Sequence, residues 1–382
     1  FIIDLTCHQR QSTMLFIMAS SGITVAVANS HIPESLTTRI IKKTGRKTKR
    51  MVFLIGILVA LCSAFMSSLA TCALFNSLVL AMLKRDDIKP HDSNLGRDLM
   101  IAIPACAGIG GFMTPAGTPA NVLLLDILAK NGVSISFIEW CKIGFPIGIL
   151  TVLLFIAVLV SIFPPERITL PGNDRKARKE WNSKDTKSSI VVISVIVGWF
   201  LSSWIPSINI TMVAIVGLTI MFLPGIQLMD WESFSAGINW DLVLTMGTVS
   251  VLMTGLSRSG LTEVISEWLI VKMTSLPNFV ILVFLSLAIC FIRAFIPTTT
   301  AVVALMGPML INISERTGFR LEMLFMILAY WTASALILAY TEPIYLITFS
   351  NRYYSASDLI RVGLIPSLIM AVVIAVLMPY LV

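Results

Sequence analysis

Apolar residues in this chain come in long runs, and the polar positions that interrupt them follow a pattern. Met14–Ser30 is a first run, rich in small residues (Ala19, Ser20, Ser21, Gly22, Ala26, Ala28) that let helices approach closely. Glu34–Arg50 follows, setting Arg39, Lys42, Lys43, Arg46, Lys47, Lys49 and Arg50 against Leu36, Ile40 and Ile41. That is the pattern of an amphipathic helix on the cytoplasmic surface. Met51–Leu83 is long for one span and short for two with a loop. Its interruption at Ser67-Ser68-Leu69-Ala70-Thr71 predicts a re-entrant hairpin with its tip at mid-membrane. Leu99–Ala107 and Val122–Leu128 are apolar again, but between them lies Gly110-Gly111-Phe112-Met113-Thr114-Pro115-Ala116-Gly117-Thr118-Pro119-Ala120-Asn121. Proline lacks the N–H a helix needs, and glycine costs about 1 kcal/mol in a helix interior. This helix is expected to break at mid-depth, exposing carbonyls and the N-terminus of its second half.

Glu139–Phe163 forms the next span, and Pro164–Lys187 is a polar segment with seven Lys/Arg against four Asp/Glu. Ser188–Ile205 and Thr211–Leu223 read as a tight helical pair joined by Pro206-Ser207-Ile208-Asn209. Asp230–Asn239 is a Trp-containing interfacial stretch, Asp241–Leu256 a span, and Ser259–Met273 a surface helix of mixed charge. Pro277–Ile313 repeats the hairpin form, interrupted at Pro297-Thr298-Thr299-Thr300. Leu321–Leu338 leads into a second break, Ala339-Tyr340-Thr341-Glu342-Pro343, which continues to Ser350; Ile360–Val382 closes the chain.

Composition agrees with this reading. Apolar residues make up 56% of the chain and charged residues 13%, which excludes an ordinary soluble domain. The net charge of +7 sits in the loops between apolar runs, the positive-inside pattern, and does not imply nucleic acid as a partner. The six cysteines (Cys7, Cys62, Cys72, Cys106, Cys141, Cys290) form no CxxC and read as small core residues. Three histidines without a second ligand nearby, and no paired aspartates or Ser/His arrangement in the spans, give no metal centre and no enzyme.

The order span, surface helix, hairpin, broken helix, span occurs twice. Ser67-Ser68-Leu69-Ala70-Thr71-Cys72-Ala73 aligns with Thr298-Thr299-Thr300-Ala301-Val302-Val303-Ala304, with Phe65 and Phe295 near-equivalent. Thr118-Pro119 aligns with Thr341-Glu342, and Lys142-Ile143-Gly144 with Arg361-Val362-Gly363. Placing the basic segments inside gives the two units opposite orientation. The expected fold is therefore an all-α polytopic membrane protein: an inverted repeat with two re-entrant hairpins and two discontinuous transmembrane helices. Residues 1–163 form the first repeat, 164–187 a cytoplasmic linker and 188–382 the second repeat. The first unit has no counterparts of Ser188–Ile205 and Thr211–Leu223, so its leading helices are expected to be missing and the chain truncated at its N-terminus.

At these residues the chain resembles the divalent anion:sodium symporter family, carriers of di- and tricarboxylates and sulfate within the ion-transporter superfamily. Gly110-Gly111 with Gly117-Thr118-Pro119-Ala120-Asn121 is similar to that family's G-T-P-P-N break, and Phe234-Ser235-Ala236-Gly237-Ile238-Asn239-Trp240-Asp241 to the start of its second-repeat span. The resemblance implies secondary active transport of a small anion by alternating access in a multi-pass protein of the plasma (inner) membrane. It also implies a homodimer, sodium or a proton as coupling ion, and no other cofactor. Each family hairpin tip carries Ser-Asn-Thr, and tips and breaks together hold substrate and sodium. Carried over, substrate contacts fall on Ser67, Ser68, Thr118, Pro119, Thr298, Thr299, Thr300, Thr341 and Pro343. Cation contacts fall on Ser68, Gly117, Asn121, Thr299 and Glu342. The chain departs from the family pattern in lacking both tip asparagines, in Leu69, and in Glu342 where proline is usual. Arg293, a charge at membrane depth, is either a substrate contact, the partner of Glu342, or a snorkelling residue. Glu342 is either a proton carrier or a fixed charge. An ion channel built on re-entrant hairpins is the competing class; it needs a continuous polar path, whereas here polar groups cluster at one depth.

Overall fold

The computed structural model describes residues 15, 16, 18–44, 47–90, 92–166, 182–205, 208–238, 240, 251, 255, 258–260, 264, 267, 276–296, 298–334, 336–338 and 342–382. The expected span Asp241–Leu256 and surface helix Ser259–Met273 lie largely outside them, as do Thr341 and most of Pro164–Lys187. The described residues are helical, with no strand among them. In chain order the helices are α1 (Met18–Ala28), α2 (Ile32–Thr44), α3 (Thr48–Ser63), α4 (Ser68–Arg85), α5 (Asn94–Phe112), α6 (Pro119–Lys130) and α7 (Phe137–Ile162). After the basic segment come α8 (Ser183–Leu201), α9 (Ile210–Phe222), α10 (Trp231–Gly237), α11 (Asn278–Phe295), α12 (Thr299–Thr317), α13 (Leu321–Ala333), α14 (Pro343–Phe349) and α15 (Ala356–Leu381). Five of these (α4, α5, α7, α11 and α15) are long and apolar enough to cross a membrane.

Helix α4 follows α3 after a short turn, and α12 follows α11 in the same way. Each turn is short because the polar residues that interrupt the apolar run take up the N-cap of the returning helix: Ser67 for α4 and Thr298 for α12. Helices α5 and α6 are the halves of the first broken helix, α13 and α14 those of the second. Two apolar cores result. One joins α3, α4, α5 and α7 with Ile344 and Tyr345 of α14. The other joins α11, α12, α13 and α15 with Leu123, Leu124, Ile127 and Leu128 of α6. Helix α14 is thus buried against α4 and α5, and helix α6 against α12 and α13. Helix α5 lies between the cores and is almost wholly buried. By contrast α11 turns Phe284, Phe291 and Phe295 outward, which suits hydrocarbon rather than water.

Three boundaries differ from the sequence expectation. The surface helix ends at Thr44 instead of Arg50, because the apolar stripe of α3 (Thr48, Met51, Val52, Ile55) reaches back into the basic run and recruits Lys49 and Arg50 to its first turn. The polar linker is already helical from Ser183: Asn182 and Asp185 form a capping box, and Asp185 also accepts from His31 N at 2.8 Å and pairs with His31 Nδ1. The helix expected to run to Leu338 stops at Ala333. Its apolar composition continues through Leu336–Leu338, so nothing in the sequence marks the end; the close approach of α15 at Leu336 does.

Candidate functional site

The first break spans Met113–Thr118 and is held open by bonds from side chains on four sides. Asn121 Nδ2 donates to the carbonyls of Gly111 and Thr114, both at 2.8 Å, and Trp140 Nε1 donates to Phe112 O at 2.8 Å. Thr114 Oγ1 donates to Ala64 O, tying the break to the end of α3. Thr118 caps α6 by accepting from Asn121 N, and Pro119 takes the N1 position, where its missing N–H costs nothing. These bonds satisfy carbonyls that a broken helix would otherwise orphan in a medium without water. Asn121 is fully buried and its Oδ1 has no hydrogen-bond partner.

The first hairpin tip meets this break. A Cβ on Gly111 would lie 2.5 Å from both Ser68 Oγ and Thr118 Cγ2, so only glycine lets tip, break and α5 converge there. Ser63 Oγ donates to Ala107 O at 2.6 Å and lies 3.0 Å from Ser68 Oγ, pinning the hairpin to α5. A cavity of about 250 Å³ opens beside the tip, lined by Ser67, Gly117 and Pro119. Helix α1 contributes Ser20, Ser21 and Thr24 to the same cavity, and Thr24 Oγ1 accepts from Ser67 N at 3.2 Å. Among the described residues, no charged side chain lines it. The sequence reads Ser20 and Ser21 as packing residues and does not single out Thr24. Their spacing, two adjacent positions and one a turn later, is the only trace of their role.

In the second unit the tip residues Thr298 and Thr299 are exposed and half-buried, Thr300 is buried, and none lines that cavity. Instead a cation dominates. Arg293, 1% exposed, donates from Nη1 to Ile296 O at 2.6 Å and from Nε to Thr332 O at 3.2 Å, and forms an ion pair with Glu342. One guanidinium therefore ties the second tip, the end of α13 and the second break together. The starts of α6 and α14 share one backbone arrangement. Glu342 is the N-cap of α14 with Pro343 at N1, as Thr118 is the N-cap of α6 with Pro119 at N1. Their backbones match, φ −143°, ψ 128° against φ −139°, ψ 148°. Glu342 and Thr118 thus cap their helices alike, each followed by a proline at N1.

The two breaks adjoin along one face of α5. A Cβ on Gly108 would meet Ala333 O at 2.6 Å and Ile344 Cδ1 at 3.4 Å, one turn from where Gly111 meets Ser68 and Thr118. Cys72 Sγ, one turn past Ser68, donates to Ile344 O at 3.2 Å. Outside the membrane, Glu166 accepts from Asn94 N (2.7 Å), Leu95 N (3.1 Å) and Ser93 Oγ (3.0 Å), capping α5 from a distant segment. Burial pushes its carboxyl up, but these bonds outweigh that and hold it below the ordinary carboxylate value. Among the described residues, no three His, Cys, Asp or Glu side chains gather as metal ligands.

A multi-pass helical protein with broken helices around a small neutral cavity is a membrane carrier. Residues 5–380 match the sodium:sulfate symporter transmembrane region, and the chain belongs to that family, within the divalent anion:sodium symporters. It is a secondary active transporter of small anions that works by alternating access, and not an enzyme. The chain is 25% identical over 337 residues to an uncharacterized transporter of Haemophilus influenzae, covering 85% of this chain and 71% of that protein. It is 25% identical over 389 residues to a sodium-dependent dicarboxylate transporter of Staphylococcus saprophyticus, covering 94% and 74%. Its fold is similar to the crystal structure of the Alcanivorax borkumensis YdaH transporter, with TM-score 0.61 at 13% identity over 96% of this chain and 84% of that one.

Proposed function

We propose that this chain carries a small carboxylate or sulfate-like oxyanion together with sodium, and that the first tip and first break form the exchangeable site. The observation that carries the reading is the cavity shared by Ser67, Gly117, Pro119 and the α1 hydroxyls, with Ser68, Thr118 and Asn121 packed behind it. Hydroxyls and the N-terminal end of α6 donate to an anion without a charged side chain. An anion held by neutral donors in a low-dielectric site favours a co-bound cation, and Asn121 Oδ1 with the unwound carbonyls is the set a sodium ion takes. Thr298, Thr299, Thr300, Thr341 and Pro343 enter the site in the opposite-facing state. Within this reading Glu342 is a fixed charge paired with Arg293, not a proton carrier.

The inverted repeat, residues 1–163 and 188–382 joined by 164–187, is supported by paired contacts. A Cβ on Gly144 of α7 would strike the carbonyl of Met113 in the first break, and one on Gly363 of α15 the carbonyl of Leu336 in the second. These are the two glycines that the sequence repeat aligns. The exchange of broken-helix halves between the cores supports it too. The protein acts in the plasma membrane as a homodimer; light scattering of the detergent-solubilised protein measures that state. Counterflow in proteoliposomes tests the carrier reading: labelled anion accumulates against unlabelled anion only with sodium present. Equal fluxes with and without sodium overturn the coupling, and flux without counterflow overturns the carrier.

A further inference from the structure

The place where α11, α13 and α14 end or begin is negative in its backbone alone. The last carbonyls of a helix lack intrahelical partners and carry the negative end of its dipole. Helix α11 ends at Phe295 with Ile296 as its C-cap, and α13 ends at Ala333, so Ile296 O and Thr332 O belong to two such ends. Glu342 adds a carboxylate at the N-cap of α14, and its side chain accepts no capping bond from that helix. One positive charge stands among the three. Arg293 gives Nη1 to Ile296 O at 2.6 Å and Nε to Thr332 O at 3.2 Å, and pairs with Glu342. Its side chain is 2% exposed. Carbonyl and carboxylate oxygens gathered at unwound helix ends are the ligand type of a hard cation such as sodium. Here a guanidinium holds them.

The first break offers oxygens of the same kind, but there the bracing group is neutral. The carbonyls of Gly111 and Thr114 accept from the Asn121 amide, whose Oδ1 is buried without a hydrogen-bond partner. A cation at that break has to come from solution. We propose that the Arg293 guanidinium is a tethered cation standing in for a second coupling ion, so that the carrier binds one sodium per chain, at the first break, and none at the second. The inference rests on the sodium-coupled carrier reading above and fixes its ion count. A cation held by its own side chain is neither taken up nor released in a transport cycle, and with Glu342 it forms a pair without net charge. The second tip and break are therefore fastened at every sodium concentration, whereas the first junction loosens when its ion leaves.

Equilibrium binding of radioactive sodium to the full purified chain, with choline as the balancing cation at constant ionic strength, counts the ions. The wild type is expected to saturate at one sodium per chain. Arg293→Ala removes the guanidinium and keeps Glu342, Ile296 O and Thr332 O around the space it leaves, and this variant is expected to bind two. Sodium, and not choline, should also raise its thermal stability more than it raises that of the wild type, because the added ion replaces the lost charge. In Arg293→Ala combined with Glu342→Gln the carboxylate is gone and the count returns to one. Should Arg293→Ala fail to fold even in sodium, Arg293→Gln takes its place, and the wild-type count is decisive by itself. Two sodium ions on the wild type, or one on a folded Arg293 variant that keeps Glu342, overturn the proposal and leave the sodium-coupled carrier standing. A double variant that still binds two overturns it as well, by placing the second ion elsewhere. No sodium bound to the wild type overturns the coupling reading together with the proposal.

Discussion

The two halves solve one problem, fastening a hairpin tip to a broken helix, with opposite chemistry. In the first, a neutral pin does it: Ser63 donates to Ala107 O and touches Ser68, leaving the break to be braced by the Asn121 amide. In the second, a buried guanidinium does it, bonded to Thr332 O and Ile296 O and paired with Glu342. Neutral pins leave hydroxyls and carbonyls weakly committed, so that half can exchange a ligand and its ion. A charged pin satisfies its own partners internally.

The comparison breaks first at Arg293. Arg293→Met leaves Glu342 without its cation and two carbonyls without donors, and loss of one member of a buried pair costs about 3–5 kcal/mol. Thermal unfolding in detergent should show it as the largest loss among the substitutions considered. Arg293→Met combined with Glu342→Gln should recover much of that loss, since no bare charge remains. Equal destabilisation of single and double variants would assign the pin to the carbonyl bonds instead of the ion pair. Asn121→Ala is the counterpart in the first half. It orphans the carbonyl of Gly111, worth about 1–3 kcal/mol, and leaves Thr114 O with only the Gly117 N–H at 3.3 Å, and it should raise the sodium concentration needed for uptake. An unchanged sodium response would remove Asn121 from the cation site.

Sequence patterns carried most of the architecture and less of the site. Pro119 and Gly117 marked the first break, and Ser67–Ser68 and Thr298–Thr299 marked the hairpin turns, because each is a polar or helix-breaking interruption in an apolar run. The second break was placed too late, since Ser334–Leu338 is apolar enough to pass for helix. Thr118 and Glu342 share the N-cap role before a proline at N1, a likeness of backbone that side-chain identity does not reveal. The Arg293–Glu342 pair was one of several pairings that burial of charge allowed. Ser20 and Ser21 looked like packing residues, Thr24 carried no signal, and the reach of Glu166 to α5 across 72 residues has no local signature at all.

A smaller effect sharpens the contrast of pins. Ser63→Ala removes a single buried bond to Ala107 O, worth about 1 kcal/mol. It should lower thermal stability slightly while loosening the first tip, seen as faster hydrogen exchange over the start of α4. Exchange there unchanged from the wild type would show that Ser63 does not hold the tip.

The smallest expected effect lies at the outer ends of the broken helices. Helix α5 begins with Ser93 as N-cap and Glu166 across its first N–H groups, whereas α13 begins at Arg320 with no side-chain cap bond. An anion at an exposed helix N-terminus contributes about 0.3–1 kcal/mol, so Glu166→Gln should lower stability by that much at neutral pH. The folded protein holds the Glu166 carboxyl below its ordinary value, through backbone and hydroxyl bonds that outweigh burial. A carboxylate with a depressed folded pKa stabilises fully above its unfolded pKa, about 4.3, and loses that contribution as pH falls through the folded value. The stability difference between wild type and Glu166→Gln should therefore be constant from pH 8 down to about pH 5 and shrink towards zero below about pH 4. The cap touches only the first half, so the difference should appear as earlier hydrogen exchange in the first turn of α5 and leave α13 unmoved. A pH-independent difference would assign the effect to shape, not charge.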